Sequence, residues 1–183
     1  CLEKYELIIA IPSYSEYNYL PKTLKSINEQ NYANLKNILV VVIVNNSTNI
    51  SKNILDDNKK TLNLLKKNTA NFELRYIDAS SHNLSFKSEK AGVGFARKIM
   101  IDLCLPFCNE KTIICCTDAD AILHPDYIYK ILDYFNHSKT YAVSIGFKHQ
   151  KGETSQEQTA INQYENYLYH TAKKIKDCGL PYG

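Results

Sequence analysis

The sequence predicts an α/β fold in which a mostly parallel, twisted sheet carries helices on both faces. Short apolar segments alternate with amphipathic ones along the chain, and polar residues follow several of the apolar segments. Alternating strands and helices produce parallel sheets, because each crossover helix returns the chain to the same edge. Residues 38–44 are continuously apolar and mostly β-branched, which is typical of a strand buried on both faces of such a sheet.

The first part of the chain contains three predicted strands and two predicted helices. Residues 5–11 form an apolar strand, which we expect Pro12 to stop because proline cannot donate to a strand ladder. Residues 20–30 predict a helix with Leu24 and Ile27 facing inward. The other elements predicted here are a strand over 38–44, a helix over 51–67 and a strand over 72–77.

The same alternation continues in the second part. Residues 91–104 predict a helix that begins around Gly92 and Gly94, and residues 112–117 predict a fourth strand. Residues 141–147 alternate in polarity and predict a fifth strand. The remaining predictions are a helix over 125–137 and a long amphipathic helix over 156–176, with Ile161, Tyr164, Leu168, Ala172 and Ile175 inward.

Length and composition exclude several classes of protein. A chain of 183 residues fits a single domain over residues 1–183, and its net charge of +3 includes no basic run interleaved with aromatic residues, so we expect no nucleic-acid partner. No apolar stretch is long enough to span a bilayer, so we expect membrane contact only through parts outside this chain. The six cysteines lack the spacing of a zinc site and are predicted to be free, buried thiols. The expected location is therefore the cytoplasm, at the inner face of a membrane where those other parts contact lipid.

Four loops follow the predicted strands and should meet at one edge of the sheet, where ligands of open α/β folds bind. They are residues 12–16, 45–48, 78–94 and 118–124. In the first loop, Tyr14 can stack on a planar base and Glu16 can accept hydrogen bonds from ribose hydroxyls. In the second, the amides of Asn45 and Asn46 both donate and accept, which suits the edge of a pyrimidine. Ordinary surface and turn residues would give the same pattern at each position taken alone.

A glycine pair opens the predicted third helix. Gly92 and Gly94 would let backbone N–H groups approach an anion near the positive end of the helix dipole. Lys87, Lys90 and Arg97 surround this point and suit a diphosphate. The motif is not a full G-x-G-x-x-G, because Arg97 stands where the third glycine would be, and a solvated basic loop explains the lysines equally well.

Asp118 and Asp120 follow the fourth predicted strand and are the most informative pair in the chain. Residues two apart in a strand point the same way, so both carboxylates should share one face where the strand opens into a loop. Two clustered carboxylates repel each other unless a cation lies between them, and the natural occupant is a hard divalent ion that brings a phosphate with it. His124 offers a third ligand or a phosphate contact. The structural alternative is a polar turn after a core strand.

The ordered set of motifs resembles the glycosyltransferase family 2 catalytic domain of the GT-A fold. The matching segments cover most of the chain from residue 7 to about 147 and are residues 9–16, 42–47, 91–98, 116–120 and 125–128. The resemblance implies an inverting transferase that moves a sugar from a nucleotide-diphosphate donor, most simply a UDP-sugar, to a glycan or lipid-linked acceptor of a cell-envelope polysaccharide.

The resemblance also implies a site. Nucleotide-sugar contacts carry over to Pro12, Tyr14 and Glu16 beside the nucleoside, Asn46 at the base, Gly92 and Arg97 near the nucleotide, and Asp118 at the ribose or the metal. Asp120, with Asp118 beside it, would coordinate Mn²⁺ or Mg²⁺ at the diphosphate.

The chain departs from the family pattern in two ways. Asn45 and Asn46 stand where many members carry an acid. The family's general base lies well downstream of the Asp pair and is expected beyond Gly183, so we expect the acceptor-side part to be missing and this portion alone to be inactive. Glu153, Glu157 and Glu165 are interpreted as the polar face of the last helix.

Three other interpretations remain. A sugar-phosphate nucleotidyltransferase would normally carry a glycine-rich, basic loop after its first strand, whereas residues 12–16 contain neither glycine nor a base. A haloacid-dehalogenase-type phosphatase would place its Asp pair after the first strand instead of the fourth. A non-catalytic nucleotide-sugar-binding module would bind the donor without turnover in the full-length protein.

Overall fold

The computed structural model describes residues 4–67 and 69–179, which form two compact units, residues 4–139 and residues 140–179. The first unit contains the strands β1 (Leu7–Ser13), β2 (Ile38–Asn45), β3 (Glu73–Ala79) and β4 (Ile113–Cys116). They form one four-stranded sheet in the order β3-β2-β1-β4, and every pairing is parallel. The predicted parallel α/β fold is therefore confirmed, whereas a single domain over 1–183 stays a prediction.

Helices cover both faces of this sheet, as predicted. The first unit contains α1 (Leu20–Asn28), α2 (Lys52–Lys67), α3 (Val93–Cys104) and α4 (Tyr127–His137), with short 3₁₀ turns at Leu35–Asn37, Ser88–Lys90 and Leu105–Phe107. The helices α1, α2 and α4 bury their apolar residues in one core cluster, and α3 buries its own in a second cluster on the opposite face. The predicted inward residues Leu24 and Ile27 of α1 are buried.

The two core clusters share the central strands. Successive residues of β1 point to opposite faces, so that Ile9 belongs to the cluster with α1 and Ile8 to the cluster with α3. All residues of β1 and β2 are buried. Each fully buried aliphatic side chain contributes about 1.5–3 kcal/mol relative to an exposed one, so these two strands contribute strongly to the stability of the unit.

The prediction that Pro12 stops the first strand is wrong. The strand β1 continues through Pro12 to Ser13, where its partner is Val44 of β2. On the other side, β4 pairs with β1 only as far as Ala10, whose carbonyl accepts from the Thr117 N–H at 3.1 Å. Residues two apart in a strand direct their backbone groups to the same side, so Pro12 faces the same side as Ala10. Proline has no N–H to donate, but on that side β4 has already ended, so no ladder hydrogen bond is lost.

The predicted fifth strand is also wrong. Residues 141–147, in the second unit, have no regular secondary structure, and Tyr141 is fully exposed. Alternating polarity indicates a face to be buried but not a partner, and no described residue pairs with this segment in a ladder. A single strand without a partner leaves its backbone groups to water.

The second unit contains the long helix α5 (Ser155–Asp177), close to the predicted range. It begins with a capping box in which the Thr154 side chain accepts from the Glu157 N–H, and the Glu157 carboxylate accepts from the Thr154 N–H. Of the predicted inward residues, Ile161, Leu168 and Ile175 are partly buried. The other two, Tyr164 and Ala172, are exposed, so the predicted apolar stripe is too wide.

The described cysteines are all free thiols, and their burial is uneven. Cys104 and Cys115 are buried and Cys108 is partly buried, but Cys116 and Cys178 are exposed, so the prediction of buried thiols holds for only part of the set. Cys1 lies outside the described residues. Among the helices that the structure describes, none is long and apolar enough to cross a membrane.

Candidate functional site

An open cleft of about 510 Å³ lies in the first unit at the carboxyl ends of the strands. The chain passes from β1 outward to β2 and β3 and then returns to form β4 on the other side of β1. The direction of winding reverses between β1 and β4, and such switch points open a crevice at the sheet edge. The cleft is lined by Pro12, Ser13, Tyr14, Glu16, Asn45, Asn46, Ser47, Ala91, Gly92, Val93, Asp118 and Asp120.

Seven of the eight predicted nucleotide-sugar contacts line this cleft. Arg97 is the exception, since it reaches the site only through its contact with Asp118, at 2.5 Å from Nη2 to Oδ1. His124 does not line the cleft and instead accepts from the Asp126 N–H at the start of α4. Neither Lys87 nor Lys90 lines it, and the Lys90 ammonium lies over the Phe95 ring, 5.9 Å from its centroid.

The first loop leaves β1 in a strained but well-bonded conformation. Ser15 has a φ of +57°, in the left-handed region that non-glycine residues rarely adopt. The Tyr14 N–H donates to Glu16 Oε2 at 3.1 Å, and the Ser15 N–H donates to Asn58 Oδ1 at 2.9 Å. Tyr14 lines the cleft and is 46% exposed, so its side chain is accessible to a ligand there.

The end of β2 is held more tightly than the sequence suggested. Asn46 is only 2% exposed, and its carboxamide is already bonded: Oδ1 accepts from Asn58 Nδ2 at 2.8 Å and Nδ2 donates to the Ser47 carbonyl at 2.9 Å. One N–H and one lone pair of Asn46 are left for a ligand. Its role as a contact of the base stays a prediction.

Sequence reasoning missed Asn58, which bonds both of these loops from α2. Asn58, Thr61, Leu62 and Leu65 are the buried residues of that helix and follow the i, i+3, i+4, i+7 pattern of an inward stripe. A polar side chain on a buried stripe needs partners inside the protein, and this was the signal that could have identified Asn58.

The acidic pair turns toward the cleft as predicted. Asp118 and Asp120 are exposed, whereas Ala119 between them is fully buried, and its carbonyl accepts from Thr23 Oγ1 at 2.7 Å. The two carboxylates therefore share a face beside the tyrosine-bearing first loop, with Glu16 on the same cleft wall. Burial raises the pKa of Glu16, and the charges of Asp120 and Asp118 raise it further, against the opposing bond from the Tyr14 N–H.

Two buried polar atoms at this site have no hydrogen-bond partner among the described residues. They are Ser13 Oγ, on the cleft wall, and Arg97 Nε, next to the Asp118 ion pair. An unsatisfied buried donor or acceptor costs about 1–3 kcal/mol, so such atoms are rare in the rest of a fold. Their position in one region is typical of a surface shaped for a polar ligand.

The two aspartates suit a metal ion whose remaining coordination positions are filled by a bound ligand instead of by further protein side chains. No group of three or more histidine, cysteine, aspartate or glutamate side chains in the described chain is arranged to hold an ion. Asp118 and Asp120 supply two hard oxygen ligands at an open cleft. Mg²⁺ is commonly held by one or two carboxylates together with substrate phosphates and water, so the donor set fits such an ion.

The glycine-led start of α3 forms another part of the cleft lining. Gly92 is the N-cap residue, with φ +156° and ψ 163°, a conformation that only glycine adopts readily. The first N–H groups of a helix have no partner within it, and here Ala91, Gly92 and Val93 face the cleft. This wall can accept an anion on backbone N–H groups and the helix dipole.

Comparisons with known proteins identify the family of this chain. Crystal structures of S. aureus TarS 1-349, in complex with UDP and with UDP-GlcNAc, align at 17% identity, covering 71% of this chain, with TM-scores of 0.48 and 0.47. The chain spans only 32% and 31% of the length of those two structures. No curated protein matches the sequence. The family model for glycosyl transferase family 2 matches residues 8–182, and the chain therefore belongs to glycosyltransferase family 2.

Proposed function

We propose that this chain binds a nucleotide-diphosphate sugar, with a UDP-sugar as first candidate, and forms the donor-binding part of an inverting glycosyltransferase. The acceptor would be a glycan or a lipid-linked sugar of the cell envelope. Family membership supports the class of reaction. One observation carries the assignment to the cleft: three carboxylates face a glycine-led helix start there, and no lysine or arginine is among the lining residues.

The charge of the cleft explains why a cation would be required. Glu16, Asp118 and Asp120 line it together, and the pKa of Glu16 is raised mainly by burial and further by the charges of Asp120 and Asp118. A diphosphate would add further negative charge to this surface. Arg97 is already paired with Asp118 and offsets only part of it. A divalent ion bound by Asp120 and Asp118 would let the acids and the diphosphate share one cleft.

That ion, Mn²⁺ or Mg²⁺, would supply charge stabilisation of the leaving diphosphate. The chain's own contribution would come from the first N–H groups of α3 beside Gly92, which would donate hydrogen bonds to the phosphate oxygens. The reaction joins the acceptor hydroxyl oxygen to the anomeric carbon as the bond from that carbon to the diphosphate breaks. The hydroxyl proton passes to a general base.

Two acids downstream of the Asp pair are already engaged in other contacts. Glu157 belongs to the capping box of α5, and the Glu165 carboxylate bonds the His149 ring at 3.0 Å, with its pKa lowered by that bond. We assign no general base among the described residues. We expect this portion to bind donor without transferring sugar.

The nucleoside would lie against the first loop. The accessible side chain of Tyr14 suits stacking on a base, and stacking on an aromatic ring contributes about 1–3 kcal/mol per base. Glu16 suits the ribose hydroxyls when ionised, a state that the bound cation would favour by attracting the proton-free carboxylate. Location in the cytoplasm, at the inner face of a membrane, stays a prediction.

The test is thermal stabilisation of the 183-residue chain by UDP with and without Mn²⁺. A ligand that binds only the native state raises the midpoint, by about 2.7 kcal/mol of added stability at one hundred times its Kd. We expect Asp120→Asn to abolish the part of the shift that depends on Mn²⁺. Asp56→Asn, which removes an exposed charge on α2 away from the cleft, should leave the whole shift unchanged.

A Mn²⁺-dependent shift that survives in Asp120→Asn would rule out the metal assignment. A wild-type chain that UDP, GDP and dTDP all fail to stabilise would rule out the donor assignment. A donor-hydrolysis screen across UDP-, GDP- and dTDP-sugars on the full-length protein then separates an enzyme from a non-catalytic nucleotide-sugar-binding module, which would bind without turnover.

A further inference from the structure

Asn58 lies outside the cleft but contacts two of its walls. Its side chain is buried in α2, with 1% of the residue exposed. Asn58 Oδ1 accepts from the Ser15 N–H at 2.9 Å, and Asn58 Nδ2 donates to Asn46 Oδ1 at 2.8 Å and to the Asn45 carbonyl at 3.4 Å. Both ends of this one carboxamide are therefore directed at the loops that leave β1 and β2.

The first loop depends on α2 for its backbone partners. The Ser15 N–H is accepted by Asn58, and the Tyr17 N–H is accepted by Asp57 Oδ2 at 3.1 Å. Ser15 also has a left-handed φ of +57°, a conformation that is unfavourable for a non-glycine residue unless other contacts stabilise it. A strained residue persists only where its surroundings fix it, and here the fixing bond comes from Asn58.

The same residue fixes the orientation of the Asn46 carboxamide. Asn46 Oδ1 faces the Asn58 donor, and Asn46 Nδ2 faces the Ser47 carbonyl at 2.9 Å. Rotating the amide by half a turn would put its oxygen against the carbonyl and its nitrogen against the Asn58 NH₂ group. Only one orientation satisfies both neighbours, so the remaining N–H and lone pair of Asn46 point in fixed directions.

We propose that Asn58 is a positioning residue that holds the Ser15 loop and the Asn46 carboxamide in register and thereby sets the affinity for the nucleoside half of the donor. This inference rests on the proposed function. The hydrogen bonds of Asn58 go to the loops after β1 and β2. The proposed phosphate and metal subsite is formed instead by the Asp pair after β4 and by Gly92 at the start of α3. Loss of Asn58 should therefore affect nucleoside binding and leave the phosphate and metal subsite intact.

Calorimetric titration of the 183-residue chain with UDP plus Mn²⁺, and separately with pyrophosphate plus Mn²⁺, tests this selectivity. An unpaired buried group costs about 1–3 kcal/mol, so Asn58→Ala should weaken UDP binding by about tenfold or more. The affinity for pyrophosphate should not change. Asn63→Ala, at an exposed asparagine of the same helix, is the matched control and should change neither affinity.

A second variant separates the two contacts. Asn58→Asp keeps the acceptor for the Ser15 N–H but turns an oxygen toward Asn46 Oδ1, so it should weaken UDP binding while Ser15 keeps its slow amide exchange. In Asn58→Ala, exchange of the Ser15 amide should become faster. This readout needs no ligand and reports directly on the loop.

Unchanged UDP affinity in a folded Asn58→Ala chain overturns the proposal, as does an equal loss of UDP and pyrophosphate affinity, which would indicate general destabilisation. A wild-type chain that binds neither ligand contradicts the proposed function instead. Exchange at Ser15 then decides the positioning role alone: faster exchange in Asn58→Ala supports it, and unaltered exchange refutes it.

Discussion

The two glycines at the start of α3 should respond in opposite directions to the same substitution. Gly92 and Gly94 are both exposed, and a Cβ added at either would meet no atom within 4 Å. Steric contact is therefore the same for the two sites, and only the backbone differs. Gly92 has φ +156°, whereas Gly94 is the second residue of a regular helix.

The magnitudes follow from that difference. Gly92→Ala places an L residue in a conformation that only glycine adopts readily, at a cost of about 1–2 kcal/mol. Gly94→Ala replaces the poorest ordinary helix former by the best, a gain of up to about 1 kcal/mol. The variants should therefore differ by about 1–3 kcal/mol in free energy of unfolding, in opposite directions from the wild type.

Urea unfolding followed by far-ultraviolet circular dichroism measures both values on the same chain. If Gly92→Ala is as stable as the wild type, the backbone argument at the cleft wall is refuted. Titration with pyrophosphate and Mn²⁺ adds a functional measure. Gly92→Ala should weaken binding, because a relaxed N-cap moves the first N–H groups of α3, whereas Gly94→Ala in a folded chain should bind with little change.

Three further predictions concern single side chains. Ser15→Gly should raise the free energy of unfolding by about 0.5–1 kcal/mol in urea unfolding. Glycine removes the strain of the left-handed φ, and this gain exceeds the extra conformational entropy that glycine loses on folding. Since the pKa of Glu16 is raised above the ordinary 4.5, its protonated form is favoured in the folded state, and stability falls as pH rises through and above that value. Glu16→Gln should flatten this dependence and stabilise the chain at neutral pH, as measured by thermal unfolding across pH. Burial raises the pKa of Cys115 to about 11, whereas its neighbour Cys116 is exposed, so a thiol reagent should modify Cys116 well before Cys115 by peptide mass analysis.

The sequence identified the parts of the fold that depend on local patterns. The strand β2 could be predicted directly, because a strand buried on both faces is a continuous apolar run without intervening polar residues. The sequence placed Asp118 and Asp120 where the fourth strand opens into a loop, and the structure places them just after β4, which ends at Cys116. Both acids are exposed and Ala119 between them is buried, although the strand itself does not extend to these residues.

Other features depend on partners that no local pattern reveals. The alternation over residues 141–147 was correct as a description of side chains, but a strand also needs a neighbour, and none of the described residues provides one. Asn58 looked like one polar residue of an amphipathic helix. Its importance comes from Ser15 and Asn46, which are distant in sequence and meet it only after the sheet has formed.

Pro12 also has a consequence for how a molecule enters this protein. Neighbouring parallel strands normally extend their ladder while both chains continue, and β1 runs on to Ser13 after its last pairing with β4 at Ala10. A proline at that point offers no hydrogen to prolong the ladder, so the two strands part at the rim. The opening between the two strands is part of the folded structure itself. A ligand can therefore enter the cleft without breaking backbone hydrogen bonds of the sheet.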